Sequence, residues 1–225
     1  MKLYIVATPI GNLNDITLRA IDVLKTVDWI LCEDTRQTRK LLDHYKINTP
    51  VISYHQHSKI KKINQIGNLL NQGKDLALVS DAGTPGIADP GNKLISLTLR
   101  QLADLEIIPI PGPSAVIAAL SICGFPTDRF IFLGFPPVKK ARNKFFKNLN
   151  HIKYTIVIYE SPYRILKTLD DLLKVSAVAH RQIMVARELT KKFESIYRGN
   201  IKKVIVEIKK GLIKGEFVIV IEPKK

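Results

Sequence analysis

Cysteine is nearly absent. Cys32 and Cys123 are the only two in 225 residues, and they lie far apart. That excludes a disulfide framework and a cysteine-based zinc motif, both of which need cysteines in sets. Long apolar runs are missing as well. No stretch approaches the roughly 20 apolar residues of a membrane span. The apolar start, Leu3-Tyr4-Ile5-Val6-Ala7, passes at once into Thr8-Pro9-Ile10-Gly11. It reads as a buried strand meeting a loop, because a signal peptide needs a longer apolar region and a small-residue cleavage site. Glycine and proline number 12 each, too few for a low-complexity chain. A soluble cytoplasmic protein is expected. The first strand is not followed by G-x-G-x-x-G, and no phosphate loop carries a lysine, so a conventional nicotinamide or nucleotide-phosphate site is not expected.

What is present is a chain that is 46% hydrophobic, long enough for one large domain or two smaller ones. Its charge is lopsided. Residues 1–125 hold 13 Lys and Arg against 11 Asp and Glu, a net of +2, whereas residues 126–225 hold 22 against 9, a net of +13. Basic surfaces attract polyanions through long-range fields and counterion release. A compositional bias toward lysine would act on both halves, so the asymmetry points to nucleic acid as a partner of the second half.

Apolar runs at residues 3–7, 29–32, 51–54, 76–80 and 107–110 alternate with helical periodicity after Asp15 and over 38–45, 60–71, 93–105 and 113–122. Five alternations indicate a parallel α/β sheet. Asp15 is read as the cap of the first helix. Cys123-Gly124-Phe125-Pro126-Thr127 breaks the rhythm, which sets the expected boundary between a domain at 1–124 and one at 125–225. The second half has strands near 130–134, 155–159, 183–187, 194–197 and 217–221. Helices are expected over 139–150, 162–173 and 201–209. Few helices separate the last strands, so a mixed-sheet α+β domain is expected.

Ligands of open parallel sheets bind outside the carboxyl ends of the strands. Four small, polar loops fall there: Thr8-Pro9-Ile10-Gly11-Asn12-Leu13, Glu33-Asp34-Thr35-Arg36, Ser80-Asp81-Ala82-Gly83-Thr84-Pro85-Gly86-Ile87-Ala88-Asp89-Pro90-Gly91 and Pro111-Gly112-Pro113-Ser114-Ala115. Loops of this composition let backbone amides and carbonyls approach a ligand closely.

These loops, with Tyr159-Glu160-Ser161-Pro162-Tyr163-Arg164, Ala186-Arg187-Glu188-Leu189-Thr190-Lys191 and Gly215-Glu216-Phe217, resemble the ordered signatures of the 16S rRNA cytidine-2′-O-methyltransferases. That family lies within the tetrapyrrole-methylase superfamily, and the resemblance runs through essentially the whole chain. It implies a two-domain tetrapyrrole-methylase-like fold, S-adenosylmethionine held between the domains, a homodimer, and 16S rRNA of the small ribosomal subunit as substrate. It also implies cofactor contacts at Pro9, Ala82, Gly83, Thr84, Ile87, Ser114 and Ala115, with Glu160 and Leu189 from the second domain. Many relatives read Gly-Asp-Pro where this chain has Gly83-Thr84-Pro85, so Thr84 brings a hydroxyl where they bring a charge.

A ribose hydroxyl needs a positioned base or cation before it attacks a methyl group. No metal-ligand cluster is visible, so side chains must do this work. Asp34, Arg36, Glu188 and Lys191 are the catalytic candidates, with Glu33 beside them. Asp34-Thr35 is equally readable as a helix cap, and Arg187-Glu188 as an ion pair at a strand end. Lys139, Lys140, Arg142, Arg164 and Arg187 are the expected RNA contacts, within a basic stretch that also holds Lys144 and Lys147. Phe145 and Phe146 are read as core residues. His55 and His57 read as loop or RNA-facing residues rather than as metal ligands. Two other functions fit the same residues: a methylase of a small tetrapyrrole, and a non-catalytic RNA-binding module. The basic second half argues against the former; saturable binding of S-adenosylmethionine would exclude the latter.

Overall fold

The computed structural model describes residues 1–55, 60–89 and 91–224, and the chain divides into two compact units, Met1–Ser114 and Ala115–Lys225. His57 lies outside the described residues. In the first unit, β1 (Lys2–Val6), β2 (Trp29–Cys32), β3 (Val51–Ser53), β4 (Leu76–Val79) and β5 (Glu106–Ile110) form one sheet in the order β3-β2-β4-β1-β5. All four pairings are parallel. Helices cover both faces, so every residue of β4 is buried. Leu3, Ile5, Leu76 and Leu78 pack toward α3 (Ile60–Asn71) and α4 (Gly91–Gln101). Val6, Ala77 and Val79 pack toward α1 (Leu18–Thr26) and α2 (Thr35–His44).

Helix α1 is capped by Thr17, whose hydroxyl accepts from the Ala20 amide at 3.1 Å. Asp15 instead closes a single 3₁₀ turn, Leu13–Asp15, capped by Asn12. The two polar residues lie two apart, and the second one starts the helix. β1 and β4 are neighbours whose connections leave in opposite directions, toward β2 and β5. This is the switch point at which open sheets of this kind form their binding crevice.

The second unit begins with α5 (Ala115–Cys123), which packs on β10 (Phe217–Ile221) and accepts at the Ile122 carbonyl from Arg198. The division therefore falls ten residues ahead of the expected boundary: the apolar helix at 115–123 goes with the sheet that follows it. That sheet runs β6 (Phe130–Phe132), β7 (Thr155–Glu160), β10, β8 (Gln182–Arg187), β9 (Ser195–Asn200). β6 and β7 are parallel and the other pairs antiparallel, the mixed sheet expected from the sequence. One face is covered by α6 (Arg142–Asn148), α7 (Ile165–Leu173) and α8 (Ile201–Lys209). Phe146 is 5% exposed and Phe145 packs against the same core, as read from the sequence. Among the described residues, no helix is long and apolar enough to cross a membrane.

Candidate active site

The loops after β1, β4 and β5 are bound to one another. The amide of Thr8 donates to the Gly83 carbonyl and that of Gly83 to the Thr8 carbonyl, both at 3.0 Å. The Thr8 hydroxyl donates to the Ser80 carbonyl at 3.0 Å, and the Ser80 hydroxyl to the Gly83 carbonyl at 3.0 Å. Thr84 donates to the Pro113 carbonyl at 3.2 Å, tying the β4 loop to the β5 loop. Its hydroxyl proton is thus spent inside the protein, and Thr84 can offer a ligand only lone pairs and its methyl group.

Close backbone approach explains two of the glycines. Gly83 has φ +82°, a conformation that L side chains rarely adopt, and a Cβ on it would lie 3.4 Å from Ile10 Cγ2. A Cβ on Gly112 would lie 3.0 Å from that of Ala7. Farther along the β4 loop, Asp89 accepts from the amides of Gly86 (2.6 Å) and Gly91 (2.9 Å). Pro9 and Gly83 are buried, Thr84, Ser114 and Ala115 are half-buried, and Ala82 and Ile87 are exposed. The first unit therefore presents a rigid, backbone-lined rim. Its glycines at 83 and 112 let the loops pack closely on one another, where a Cβ would press on Ile10 and on Ala7.

The loop after β2 carries charge. Asp34 caps α2, accepting from the Arg36 amide at 2.8 Å, and it grips the Arg36 guanidinium through Nε (3.1 Å) and a second nitrogen (2.7 Å). Asp34 is thus a helix cap, as its structural reading has it, and also half of an ion pair with Arg36. The Arg36 side chain beside it holds the Asp34 carboxyl down at about 2. Glu33 behaves oppositely: burial, then the negative charges of Asp81 and Asp89, raise its pKa. Glu33 is accordingly a stronger base than Asp34.

In the second unit, Lys191 Nζ donates to Glu188 Oε1 at 2.8 Å and to Glu216 Oε2 at 2.9 Å. Burial alone would raise the pKa of Glu188, but Lys191 and the Glu216 amide outweigh it, and the carboxyl is lowered. Burial would likewise lower the pKa of Lys191, but its two carboxylate partners raise it. Both groups stay charged through neutral pH. Leu189 is 8% exposed. Glu160 is 1% exposed and fully engaged. It accepts from the Ser161 amide (2.7 Å), Arg164 (2.8 Å) and the Thr168 hydroxyl (2.6 Å).

Arg142 is corrected by the structure. It is 6% exposed, and its guanidinium reaches Asp171 (2.9 Å), Thr168 (2.9 Å) and the Pro137 carbonyl (3.1 Å). A buried, fully paired arginine is a structural cross-brace and not an RNA contact. Arg164 is half-committed in the same way, to Glu160, the Ser161 hydroxyl and the Pro136 carbonyl. Arg187 donates to the Lys214 carbonyl through Nε at 2.7 Å. Lys139 and Lys140 are exposed, as are Lys144 and Lys147 on α6. Three residues of these networks were not foreseen: Thr168, Asp171 and Glu216. Among the described residues, no cluster of three or more His, Cys, Asp or Glu is placed to hold a metal ion.

Residues 2–205 match the family of Tetrapyrrole (Corrin/Porphyrin) Methylases. A protein of Synechocystis named ribosomal RNA small subunit methyltransferase I is 48% identical over 220 residues, 97% of this chain and 78% of that one. Its namesake in Thermotoga maritima is 43% identical over 224 residues, 100% of this chain and 99% of that one. Among solved structures, a cobalt precorrin-4 methyltransferase superposes with a TM-score of 0.71 at 20% identity, covering 98% of this chain and 94% of that one. Diphthine synthase gives 0.71 at 12% identity, covering 99% and 90%. The last two share the fold.

Proposed function

The chain belongs to the tetrapyrrole (corrin/porphyrin) methylase family, and from that premise we propose that it methylates the ribose 2′-hydroxyl of a cytidine in the 16S RNA of the small ribosomal subunit, using S-adenosylmethionine. One observation carries the substrate: relatives named for small-subunit rRNA methylation are 43–48% identical across nearly the whole chain. Two solved small-molecule methylases of the same fold, a cobalt precorrin-4 methyltransferase and a uroporphyrin-III-C-methyltransferase, are 20% and 16% identical. The net +13 of residues 126–225 suits an RNA substrate and is not needed by a tetrapyrrole enzyme.

The rim of the first unit fits the cofactor. Its loops pack backbone to backbone at Gly83 and Gly112, and their mutual hydrogen bonds hold it shaped before any ligand arrives. We propose Pro9, Ala82, Gly83, Thr84, Ile87 and Ser114 of the first unit, and Ala115 and Leu189 of the second, as cofactor contacts. Glu160 is assigned a supporting role, since all its contacts lie within the protein. S-adenosylmethionine, when bound, supplies an electrophilic methyl on a positively charged sulfur. The chain must then place an attacking oxygen in line with that methyl, and placement is worth many orders of magnitude in rate. Asp34, Arg36, Glu188 and Lys191 are assigned to hold the ribose. Asp34 and Glu188 act as ionised hydrogen-bond acceptors for the hydroxyl. With lowered pKa values they are weak bases, so they polarise the O–H without keeping its proton, which passes to solvent water as the C–O bond forms and the methyl–sulfur bond breaks. The assembly proposed is a homodimer, as the family resemblance implies, and the compartment proposed is the cytoplasm.

Lys139 and Lys140 are assigned to RNA phosphates, with Arg164 and Arg187 contributing their remaining donors. Reversing both lysines to glutamate is expected to weaken binding of small-subunit RNA about 10-fold or more at low salt and to flatten its salt dependence. S-adenosylmethionine affinity is expected to be unchanged. Filter binding over a salt series, beside calorimetry with the cofactor, reads both. Unchanged RNA affinity removes this surface from the account.

A further inference from the structure

The turn after β8 and the entry to β10 form a device that serves one side chain. β10 runs antiparallel to β8 with Phe217 opposite Arg187. That register brings Glu216 beside Glu188, although 28 residues separate them in sequence. The Glu188 amide donates to the Glu216 carbonyl at 2.9 Å, and the Glu216 amide to Glu188 Oε1 at 3.0 Å. Glu188 and Thr190 both adopt left-handed backbone, with φ +53° and +66°. Such conformations cost energy in non-glycine residues and persist only where the surroundings enforce them. Gly215 belongs to the same device: at φ +90°, a Cβ there would collide with the Glu188 carboxylate. The product of all this is an ammonium held between two carboxylates, Lys191 to Glu188 at 2.8 Å and to Glu216 at 2.9 Å.

We infer that Glu216 is a positioning residue, fixing the Lys191 ammonium so that its third N–H meets an oxygen of the target ribose. The inference rests on the proposed role of Lys191 at the substrate. An ammonium has three donors, and two are used here. Lys191 is about a third exposed, which leaves the third donor a way out. The charge balance selects the kind of ligand. Two carboxylates and one ammonium sum to −1, and Arg187, whose charge also acts on Glu188, brings the cluster to neutrality, so its charge does not call for a phosphate. A ribose hydroxyl is neutral and both donates and accepts. It can accept from Lys191 and donate to Glu188 Oε2, which carries no hydrogen bond among the described residues. Glu216 itself is mostly exposed, with a side-chain accessibility of 76%, so its side chain is not needed to build the core.

The test compares Glu216→Ala, Glu216→Gln, Lys191→Ala and the double variant Glu216→Ala/Lys191→Ala in methyl transfer to small ribosomal subunits. Glu216→Ala is expected to lower kcat about 10- to 100-fold, as misplacement of a reacting group does. KM for S-adenosylmethionine is expected to hold. Glu216→Gln, which keeps an acceptor oxygen, restores most of the rate. The double variant is no slower than Lys191→Ala alone, because Glu216 acts only through Lys191. Without any turnover, the titration midpoint of the Lys191 ammonium, followed by ¹⁵N NMR, falls in Glu216→Ala. Full activity in Lys191→Ala would overturn the assignment of Lys191 to the substrate, and the inference with it. A slow Lys191→Ala beside a fully active Glu216→Ala would overturn the inference alone. So would losses that multiply in the double variant, or an unmoved Lys191 titration.

Discussion

Thr84→Trp is expected to abolish S-adenosylmethionine binding while the protein stays folded, and Gly83→Trp is expected to abolish that binding too. Thr84 sits half-buried on the rim where the loops after β4 and β5 meet, with its hydroxyl bound to the Pro113 carbonyl. Losing that one hydrogen bond costs about 1 kcal/mol, too little to unfold the unit. The indole is instead expected to occupy the space proposed for the cofactor. Gly83 is the sterner case, because its φ of +82° disfavours any side chain and its amide and carbonyl both bond to Thr8. Calorimetry is expected to show a loss of affinity of at least about 100-fold in each, a difference of roughly 3 kcal/mol. Undiminished affinity in both would place the cofactor elsewhere.

Arg142→Ala is expected to destabilise the protein by about 3 kcal/mol, the cost of breaking a buried, hydrogen-bonded ion pair, and to lower Tm by roughly 10 °C. The guanidinium links α6 to α7 through Asp171 and Thr168, and it covers the Phe146 ring with 4.9 Å between its carbon and the ring centre. Thr168 in turn donates to Glu160, so the variant disturbs a continuous chain of buried polar groups. Asp171 keeps an exposed partner in Lys174, which moderates the loss. Thermal unfolding separates this residue from its neighbours, since charge reversal at Lys139 and Lys140 leaves Tm in place. An unchanged Tm in Arg142→Ala, together with weakened RNA binding, would return Arg142 to the RNA surface.

The strands of the first unit were legible because burial on both faces leaves an uninterrupted apolar signature. Leu76–Val79 is the clearest instance, with all four residues buried. The rim proposed to bind the cofactor could be placed from the sequence because strand ends of a parallel sheet converge by topology, and β4, β1 and β5 are adjacent. Helix starts were less so: Asn12, Asp15 and Thr17 are all competent caps, and only the geometry assigns Asn12 to the 3₁₀ turn and Thr17 to α1. Helix α5 falls in the second unit where the sequence reading put it in the first, because its residues are almost all apolar and do not name the sheet they cover. The charged residues were least legible. Arg142 stands in a run of exposed lysines and looks like one of them until α7 supplies Asp171, 29 residues away. Glu216 acquires its partners only through the β8–β10 register, which a single sequence does not reveal.

Methyl-label transfer from S-adenosylmethionine to small ribosomal subunits lacking this modification tests the central claim most directly, with the labelled position mapped by alkaline cleavage. Alkaline scission of RNA requires a free 2′-hydroxyl, so a 2′-O-methyl group leaves one uncleaved bond. The account predicts about one methyl per subunit, at a single cytidine whose 3′ phosphodiester resists alkali. Label on a base, or no label on the RNA at all, would contradict it.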